Sequence, residues 1–344
     1  MSSRPETTGA PFTQGYLPAP AAPQPGPSVR RAQLAVLAAH LTPRDRWIAA
    51  MVHEHRVLTT SQITALGFDG ARTARARLAK LVDPLRLLDR FRPRVAVGSA
   101  PEHYVLGPAG AGWLAAAYEM SVKAFGYHRN RAHQIAASAH LAHAVGCNEV
   151  FTAVAVAGRH DPSAGRLAAW WSETRCARLF ADAGARPDGY GHYTTAGPDQ
   201  DPAEARSVRF FLEYDTGTEP LGKLAGKFGG YGKLAASSAP VPVLFYLPSA
   251  TREANFHRYL TDQRPTFPVL TTSPEALLSA GCGPTGPVWR LVDGRRVWSG
   301  ETTRRLELID LDALTRPVRL RQRAAGAPAV HLPPWWIEPP NPLP

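Results

Sequence analysis

Apolar residues in the first third of the chain recur at helical spacing and predict three helices. Thr42-Pro43 begins the first, because Thr caps a helix and Pro fits its first turn. Thr59 and Gln62 have the spacing of a capping box, which predicts a second helix start. A third helix is predicted over residues 71–82, and its apolar face consists of Ala74, Leu78 and Leu81.

Two short strand-like runs follow these helices. They are Leu87–Phe91 and His103–Leu106, with a loop containing Gly, Pro and Arg between them, and another helix is predicted over 108–120. Three helices followed by a two-stranded hairpin is the order of a winged helix-turn-helix. We therefore predict a winged-helix domain over residues 30–120. The alternative is a plain three-helix domain with a charged, solvated face.

The pattern changes in the second half, where strands alternate with helices after a long predicted helix over 132–158. The runs Val208–Asp215 and Val241–Leu247 are the strongest strands, and alternation of this kind indicates a mixed α/β domain. The full set of later elements comprises strands at 167–171, 188–193, 208–215, 241–247 and 267–270, and helices at 219–236 and 249–260. The order αβββαβ predicts a restriction-endonuclease-like core within residues 132–275, in a two-domain α+β chain.

Both ends of the chain are rich in proline. Residues 1–29 contain few large apolar groups, so we predict a disordered tail there. Residues 276–344 form a C-terminal extension that ends in an extended Pro/Trp tail, whose Trp335 and Trp336 are candidates for docking on the body.

Composition narrows the functional classes. The chain has 344 residues, a length typical of two domains, and a net charge of +11, which favours a polyanionic partner and nucleic acid first. Its three cysteines lie far apart and form no CxxC pair, which disfavours a zinc ribbon and a disulfide framework. No run of 18 apolar residues and no signal peptide is present, so we expect a cytoplasmic protein that does not enter a membrane.

The positive charge is concentrated in the first predicted domain. Residues 30–106 contain 13 Arg or Lys against 6 Asp or Glu, which supplies +7 of the +11. We expect helix 71–82 to enter the major groove of double-stranded DNA and the hairpin to touch phosphate. The predicted DNA-binding residues are Arg72, Arg75, Arg77, Lys80, Arg90, Arg92 and Arg94.

Acidic residues at strand ends indicate a second kind of site. Asp188 opens one predicted strand, Glu213 and Asp215 end the next, and such carboxylates suit Mg²⁺. With Lys227 on the following helix they match the PD-(D/E)xK nuclease pattern, and Glu149 on the preceding helix lies where such nucleases often have an extra Glu. The predicted catalytic residues are Asp188, Glu213, Lys227 and Glu149, and the predicted Mg²⁺ ligands are Asp188, Glu213 and Asp215. The alternative is that Asp188 is a turn residue and that Glu213 and Asp215 are ordinary charges at the edge of a strand.

The lysine departs from the usual pattern. It normally stands two residues after the second acid, where this chain has Asp215, so Lys227 or Lys223 would supply it from the helix. Three of the chain's five lysines fall within residues 223–233, although Arg is the dominant base. A compact ammonium that sheds a proton when desolvated gives a physical reason for Lys here. His133, His140 and His143 share one face of helix 132–158, a weaker indication of a metal site.

Several strings resemble a known family. They include Arg56-Val-Leu-Thr-Thr60, His103-Tyr-Val-Leu-Gly-Pro-Ala-Gly110, Arg186-Pro-Asp-Gly189 and Phe211-Leu-Glu-Tyr-Asp-Thr-Gly-Thr-Glu219. These are similar to the replication-relaxation proteins of actinobacterial plasmids and integrative elements, over roughly residues 41–260. The resemblance implies a role in plasmid replication or DNA relaxation, alongside other replication or transfer proteins.

Two functional hypotheses follow. The first is a DNA-binding replication or transfer protein that nicks DNA with Mg²⁺. The second is a non-enzymatic DNA-binding regulator or replication accessory factor whose nuclease-like domain is inactive.

Overall fold

The computed structural model describes seven stretches of the chain. They are residues 27–95, 98–160, 165–195, 206–238, 240–292, 304–315 and 336–344. The fold is mixed, with helices packed on a three-stranded sheet and on a seven-stranded sheet. The predicted disordered tail therefore lies outside the described residues, except that a helix begins at Pro27.

The N-terminal unit packs five helices on the smaller sheet. The helices are α1 (Pro27–His40), α2 (Pro43–His55), α3 (Thr60–Gly67), α4 (Ala71–Val82) and α5 (Pro108–Ala117). The strands are β1 (Leu58–Thr59), β2 (Leu88–Phe91) and β3 (His103–Leu106), and they pair antiparallel in the order β1-β3-β2. The sequence did not predict α1 or the two-residue strand β1.

Capping side chains fix the starts of α2 and α3. Thr59 Oγ1 accepts a hydrogen bond from the Gln62 backbone N–H at 3.2 Å, and Gln62 Oε1 accepts from the Thr59 N–H at 2.9 Å. Thr42 and Asp45 form the equivalent pair at the start of α2. Both predicted helix starts are confirmed, since the reciprocal bonds satisfy backbone donors that a helix leaves free.

Short helices connect the two units. They are α6 (Val122–Phe125) and α7 (Arg129–Gln134), followed by a 3₁₀ turn at Ile135–Ala137 and then α8 (Leu141–His160). The single helix predicted over 132–158 is wrong in its first part. Ser138 is extended, and its hydroxyl accepts a hydrogen bond from the His140 N–H at 3.1 Å, a local bond that competes with helix continuation.

The C-terminal unit is built on the seven-stranded sheet, in the order β10-β9-β8-β7-β6-β5-β4. The strands are β4 (Arg166–Ser172), β5 (Gly189–Thr194), β6 (Ser207–Tyr214), β7 (Val243–Tyr246), β8 (Val269–Thr272), β9 (Trp289–Leu291) and β10 (Arg305–Leu306). Strands β6, β7 and β8 are parallel, and all other neighbours are antiparallel.

Helices cover both faces of this sheet. They are α9 (Glu173–Leu179), α10 (Leu221–Gly226), α11 (Phe228–Ser237), α12 (Ala250–Tyr259), α13 (Pro274–Ala280) and α14 (Asp312–Thr315). The predicted strands at 167–171, 188–193, 208–215 and 241–247 are confirmed within a residue or two at most ends. The helix predicted over 219–236 divides at Lys227, and the C-terminal extension adds β9 and β10 to the sheet.

The two units share one hydrophobic core. Apolar residues of α2, α3 and α4 belong to the same buried cluster as Phe151 of α8 and Trp170 of β4. Buried polar contacts join them as well: Asn148 Nδ2 donates to the Val57 carbonyl at 2.7 Å, and Arg175 pairs with Glu54 at 2.6 Å. The units therefore pack against each other through a common buried core.

The end of the chain lies across this junction. Trp336 meets the edge of Trp171 with ring centroids 5.8 Å apart, and the Arg175 guanidinium lies over the Trp336 ring. The indole N–H of Trp47 in α2 donates to the Asn341 carbonyl at 2.7 Å. Docking of the tail by Trp336 is thus confirmed, whereas Trp335 lies outside the described residues.

Helix α8 is the one described helix whose length and apolar character would suffice to cross a membrane. It packs against α3 on one side and against β4 and β6 on the other.

Candidate functional site

The register of β5 and β6 brings two acidic residues to the same end of neighbouring strands. Gly189 pairs with Leu212, and the Asp188 N–H donates to the Leu212 carbonyl at 3.1 Å, so Asp188 lies across from Glu213. Both side chains are almost wholly buried. We call Asp188 and Glu213 the acid pair.

Asp188 is held in its charged form by its neighbours. Its Oδ2 accepts a hydrogen bond from the Tyr214 N–H at 2.8 Å and lies 3.0 Å from His143 Nε2. Burial opposes ionisation, but the hydrogen bond from His143 and the charge of Lys227 outweigh it, so the pKa of Asp188 falls below its usual value. The same contact raises the pKa of His143 despite its burial.

Glu213 has the opposite character. Its two oxygens are contacted by the Lys227 ammonium and by the Tyr231 hydroxyl of α11. Burial, reinforced by the negative charge of Asp188, raises the pKa of Glu213 to about 8. Glu213 is therefore the less readily ionised member of the acid pair, and Asp188 the more readily ionised one.

Lys227 occupies the break between α10 and α11, and it faces both acids. Burial disfavours its charge, but the carboxylates of Glu213 and Asp188 prevail and raise its pKa above the ordinary value. The ammonium form of Lys227 is therefore favoured, which argues against the proton-shedding role predicted for it. Lys223, one turn earlier, instead forms an exposed ion pair with Glu219 at 2.5 Å.

Two predicted members of the site lie apart from the acid pair. Strand β6 ends at Tyr214, so the alternation of side chains stops there, and Asp215 pairs with Arg252 Nε at 2.6 Å and accepts from the Gly217 N–H. Glu149 is exposed on α8 and accepts a hydrogen bond from Gln62 Nε2 at 3.0 Å. Neither carboxylate contacts Asp188 or Glu213 in the described part of the chain.

The three histidines predicted to share a helix face are separated. His133 lies in α7 and contacts Asp89 at 3.0 Å, His140 precedes α8, and only His143 reaches the acid pair. Across the residues that the structure describes, no group of three or more His, Cys, Asp or Glu side chains is placed to hold a metal ion. The acid pair is therefore a two-carboxylate site.

A cavity of about 230 Å³ adjoins the acid pair. Asp188 and His143 line it together with residues from the end of α2, from α8 and from the β4–α9 junction. The sequence did not predict that His143 and Tyr231 contact the two acids. The helical spacing of the histidines was the signal for His143, but nothing in the sequence linked Tyr231 to Glu213.

A basic surface lies on the N-terminal unit. Arg72, Arg75 and Lys80 are exposed on α4, and Arg90, Arg92 and Arg94 are exposed on or beyond β2. Arg77 differs, because its Nε donates to the buried Asp45 carboxylate at 2.8 Å and its guanidinium also donates to the His40 carbonyl. Arg92 also has an acidic partner, since it forms an exposed ion pair with Glu102 at 2.9 Å.

The chain belongs to the replication-relaxation family, whose model matches residues 50–242. This range covers most of the N-terminal unit, α8 and the strands that hold the acid pair. Membership supports a role in plasmid replication or transfer. No curated protein and no solved structure matches the chain.

Proposed function

We propose that this protein binds duplex DNA and processes it during plasmid replication or transfer. The observation that carries the proposal is the buried cluster of Asp188, Glu213 and Lys227 at one end of β5 and β6, in a chain that also has a separate basic helix. The family supports the biological setting. The cytoplasm, with reduced thiols, and other replication or transfer proteins as partners belong to the same proposal.

The order of elements supports a winged helix in the N-terminal unit. Helix α2 is followed by β1, α3, α4, β2 and β3, and the three strands form one antiparallel sheet. In winged helix-turn-helix proteins the helix at the position of α4 enters the major groove. Arg72, Arg75 and Lys80 are exposed there, and α4 packs on α3 and β2 rather than on the C-terminal unit.

The C-terminal unit supports a nuclease-like core. Helix α8, strands β4 to β6, helices α10 and α11, and strand β7 follow the order αβββαβ apart from the seven-residue helix α9, which is inserted between β4 and β5. Asp188 and Glu213 occupy the positions of the two acids of the PD-(D/E)xK pattern, and Lys227 supplies the ammonium from the helix. Because this lysine stays charged, its role is to stabilise negative charge on a phosphate group.

The acid pair fits Mg²⁺ through its chemistry. Magnesium is commonly bound by one or two carboxylates, with water and substrate phosphate completing the shell. Asp188 has an oxygen, Oδ1, that accepts no hydrogen bond from any described residue, whereas a cation at Glu213 would compete with Lys227 or Tyr231. Asp188 and Glu213 would hold the ion, and it would supply a Lewis acid that polarises the phosphodiester.

A second function is favoured by the same contacts. Lys227 and Tyr231 already satisfy both oxygens of Glu213, and no three His, Cys, Asp or Glu side chains of the described residues are placed together to hold a metal ion. A cluster satisfied in this way is also what a non-enzymatic DNA-binding replication factor with an inactive nuclease-like unit would have.

Plasmid conversion separates the two functions. Incubation of supercoiled plasmid with Mg²⁺ or Mn²⁺ should yield nicked product with the wild type, and Asp188→Ala should abolish it. Glu219→Gln is the matched control, because Glu219 is an exposed acid after the same strand and pairs only with Lys223 among the described residues. Nicking should persist in that variant.

Metal binding gives an independent readout of the same site. Mg²⁺ should raise the melting temperature of the wild type and leave that of the Asp188→Ala/Glu213→Ala double variant unchanged, because only the wild type retains the acids. If calorimetry detects no metal binding even with DNA present, the nuclease function is refuted and the non-enzymatic function takes its place.

A further inference from the structure

The cavity beside the acid pair lies where the two units meet. Besides Asp188 and His143, its walls include His55, Arg56, His140, Asn148, Trp170 and Glu173. Its volume of about 230 Å³ is below the range of about 300–1,000 Å³ typical of pockets for drug-sized ligands, so it suits one small unit. A molecule bound there would lie next to a carboxylate of the acid pair.

Asn148 presents a fixed hydrogen-bond acceptor in this cavity. The side chain is 5% exposed, and its Nδ2 donates to the carbonyls of Val57 at 2.7 Å and His55 at 3.4 Å. Only the NH₂ end of the amide can donate to carbonyl groups, so these bonds settle which end is the oxygen. That Oδ1 accepts no hydrogen bond from the described residues, and a ligand with N–H donors would satisfy it.

Two aromatic rings, stacked on each other, line part of the cavity. His55 and Trp170 stack with centroids 3.8 Å apart and an interplanar angle of 25°, and Phe151 stacks on Trp170 at 5.1 Å. Burial lowers the pKa of His55 to about 4, so this ring is neutral at pH 7. His55 and Trp170 are only 4% and 1% exposed, so they bound the cavity as a neutral wall and leave no open ring face for stacking.

Charge of both signs lines the rest of the cavity. Arg56 ends α2 with a left-handed φ of 68°, its side chain is exposed, and it makes no ion pair with any described residue. A guanidinium of this kind is suited to a phosphate group. The exposed carboxylate of Glu173 offers a second acceptor on the opposite unit.

We propose that this cavity binds a single nucleotide, unstacked from DNA, with an N–H group of its base at Asn148 Oδ1 and its phosphate at Arg56. A base supplies the N–H donors, and the backbone supplies the phosphate. Enzymes that act on nucleic acid often take a nucleotide out of the stack into such a pocket. The proposal deepens the DNA-processing function above and rests on it, because DNA is the source of the nucleotide.

The first test is titration of the full chain with each of the four deoxynucleoside 5′-monophosphates in EDTA, followed by tryptophan fluorescence and by calorimetry. At least one should bind, and Arg56→Ala should weaken binding by about tenfold, the loss expected for one charged contact. Arg86→Ala is the matched control, since Arg86 is also an exposed arginine with positive φ but does not line the cavity.

The proposal is overturned if none of the four nucleotides binds at the highest soluble concentration. It is equally overturned if Arg56→Ala and Arg86→Ala bind with the same affinity as the wild type.

The second test separates nucleotide taken from DNA from free nucleotide. The fluorescence of 2-aminopurine in duplex DNA should rise when the wild type binds and extrudes the base. Arg56→Ala should suppress this rise, whereas Arg75→Ala should reduce overall DNA affinity. Duplex binding without any change in 2-aminopurine refutes extrusion and leaves the DNA function standing. Binding of free nucleotides without duplex binding refutes the DNA function itself. It also refutes the proposal that the bound nucleotide comes from DNA.

Discussion

The ion pair between Glu54 and Arg175 joins the two units, and its loss should be costly. Glu54 lies in the last turn of α2 and Arg175 lies in α9; both side chains are 8% exposed and their charged groups meet at 2.6 Å. Ser172 adds two hydrogen bonds to the same carboxylate, from its N–H and its hydroxyl. The variant to make is Arg175→Met, which keeps an apolar stem and leaves the Glu54 charge buried without its cation.

The structure gives the magnitude of the effect. Burial disfavours the charged form of Glu54. The hydrogen bonds and charge of Arg175 outweigh this effect and lower the pKa of Glu54 from 4.5 to about 2. That difference corresponds to about 3 kcal/mol, in line with the roughly 3–5 kcal/mol lost when one partner of a buried pair is removed. We expect urea unfolding at pH 7 to show a loss of about 3 kcal/mol.

The pH dependence follows from the sign of the shift. Because the folded pKa is below the unfolded one, the stabilisation is complete above about pH 4.5 and is lost as pH falls towards about 2. The wild type should show this fall, and Arg175→Met should lack it. The double variant Glu54→Gln/Arg175→Met should recover much of the stability, since it leaves no buried charge. A loss below about 1 kcal/mol in the single variant, or equal acid slopes, would refute the reasoning.

Three further predictions follow from the same contacts. Arg75→Ala should weaken duplex binding by about 1–3 kcal/mol if Arg75 reads a base edge, and wild-type affinity measured by fluorescence anisotropy should depend steeply on salt. Arg77→Ala should instead chiefly lower the melting temperature, because it leaves the buried Asp45 carboxylate without its cation. A chain ending at residue 335 should melt at lower temperature by circular dichroism, because Trp47 loses its hydrogen bond to the tail. The shared core should give one calorimetric transition, and two separated transitions would contradict it.

The strands and the two acids could be predicted because their signals are local. Asp188 and Glu213 flank apolar runs of strand length, and the alternation of residues within those runs sets the register. Lys227 was predictable because lysine is rare in a chain whose bases are mostly arginine.

The partners of these acids depend on long-range packing. Tyr231 reaches Glu213 across 18 residues of sequence, and His143 reaches Asp188 across 45. The ion-pair partners of Asp215 and Arg77 could not be predicted for a related reason, since the linear pattern does not assign Arg252 to Asp215 or Asp45 to Arg77. The period of a strand or helix predicts the face on which a side chain lies, but not whether another group already satisfies it.

Helix α8 connects the proposed DNA-reading unit to the acid pair. At its first turn His143 contacts Asp188, and at its far end the Arg159 guanidinium donates to the carbonyls of Ala65 and Leu66 at the end of α3. Between them Gln62 of α3 donates to the Val145 carbonyl at 2.9 Å. Since α3 packs directly against both α4 and α8, helix α8 fixes the position of α4 relative to the acids. Any processing of DNA by this chain would then occur at a set distance from the sequence that α4 contacts.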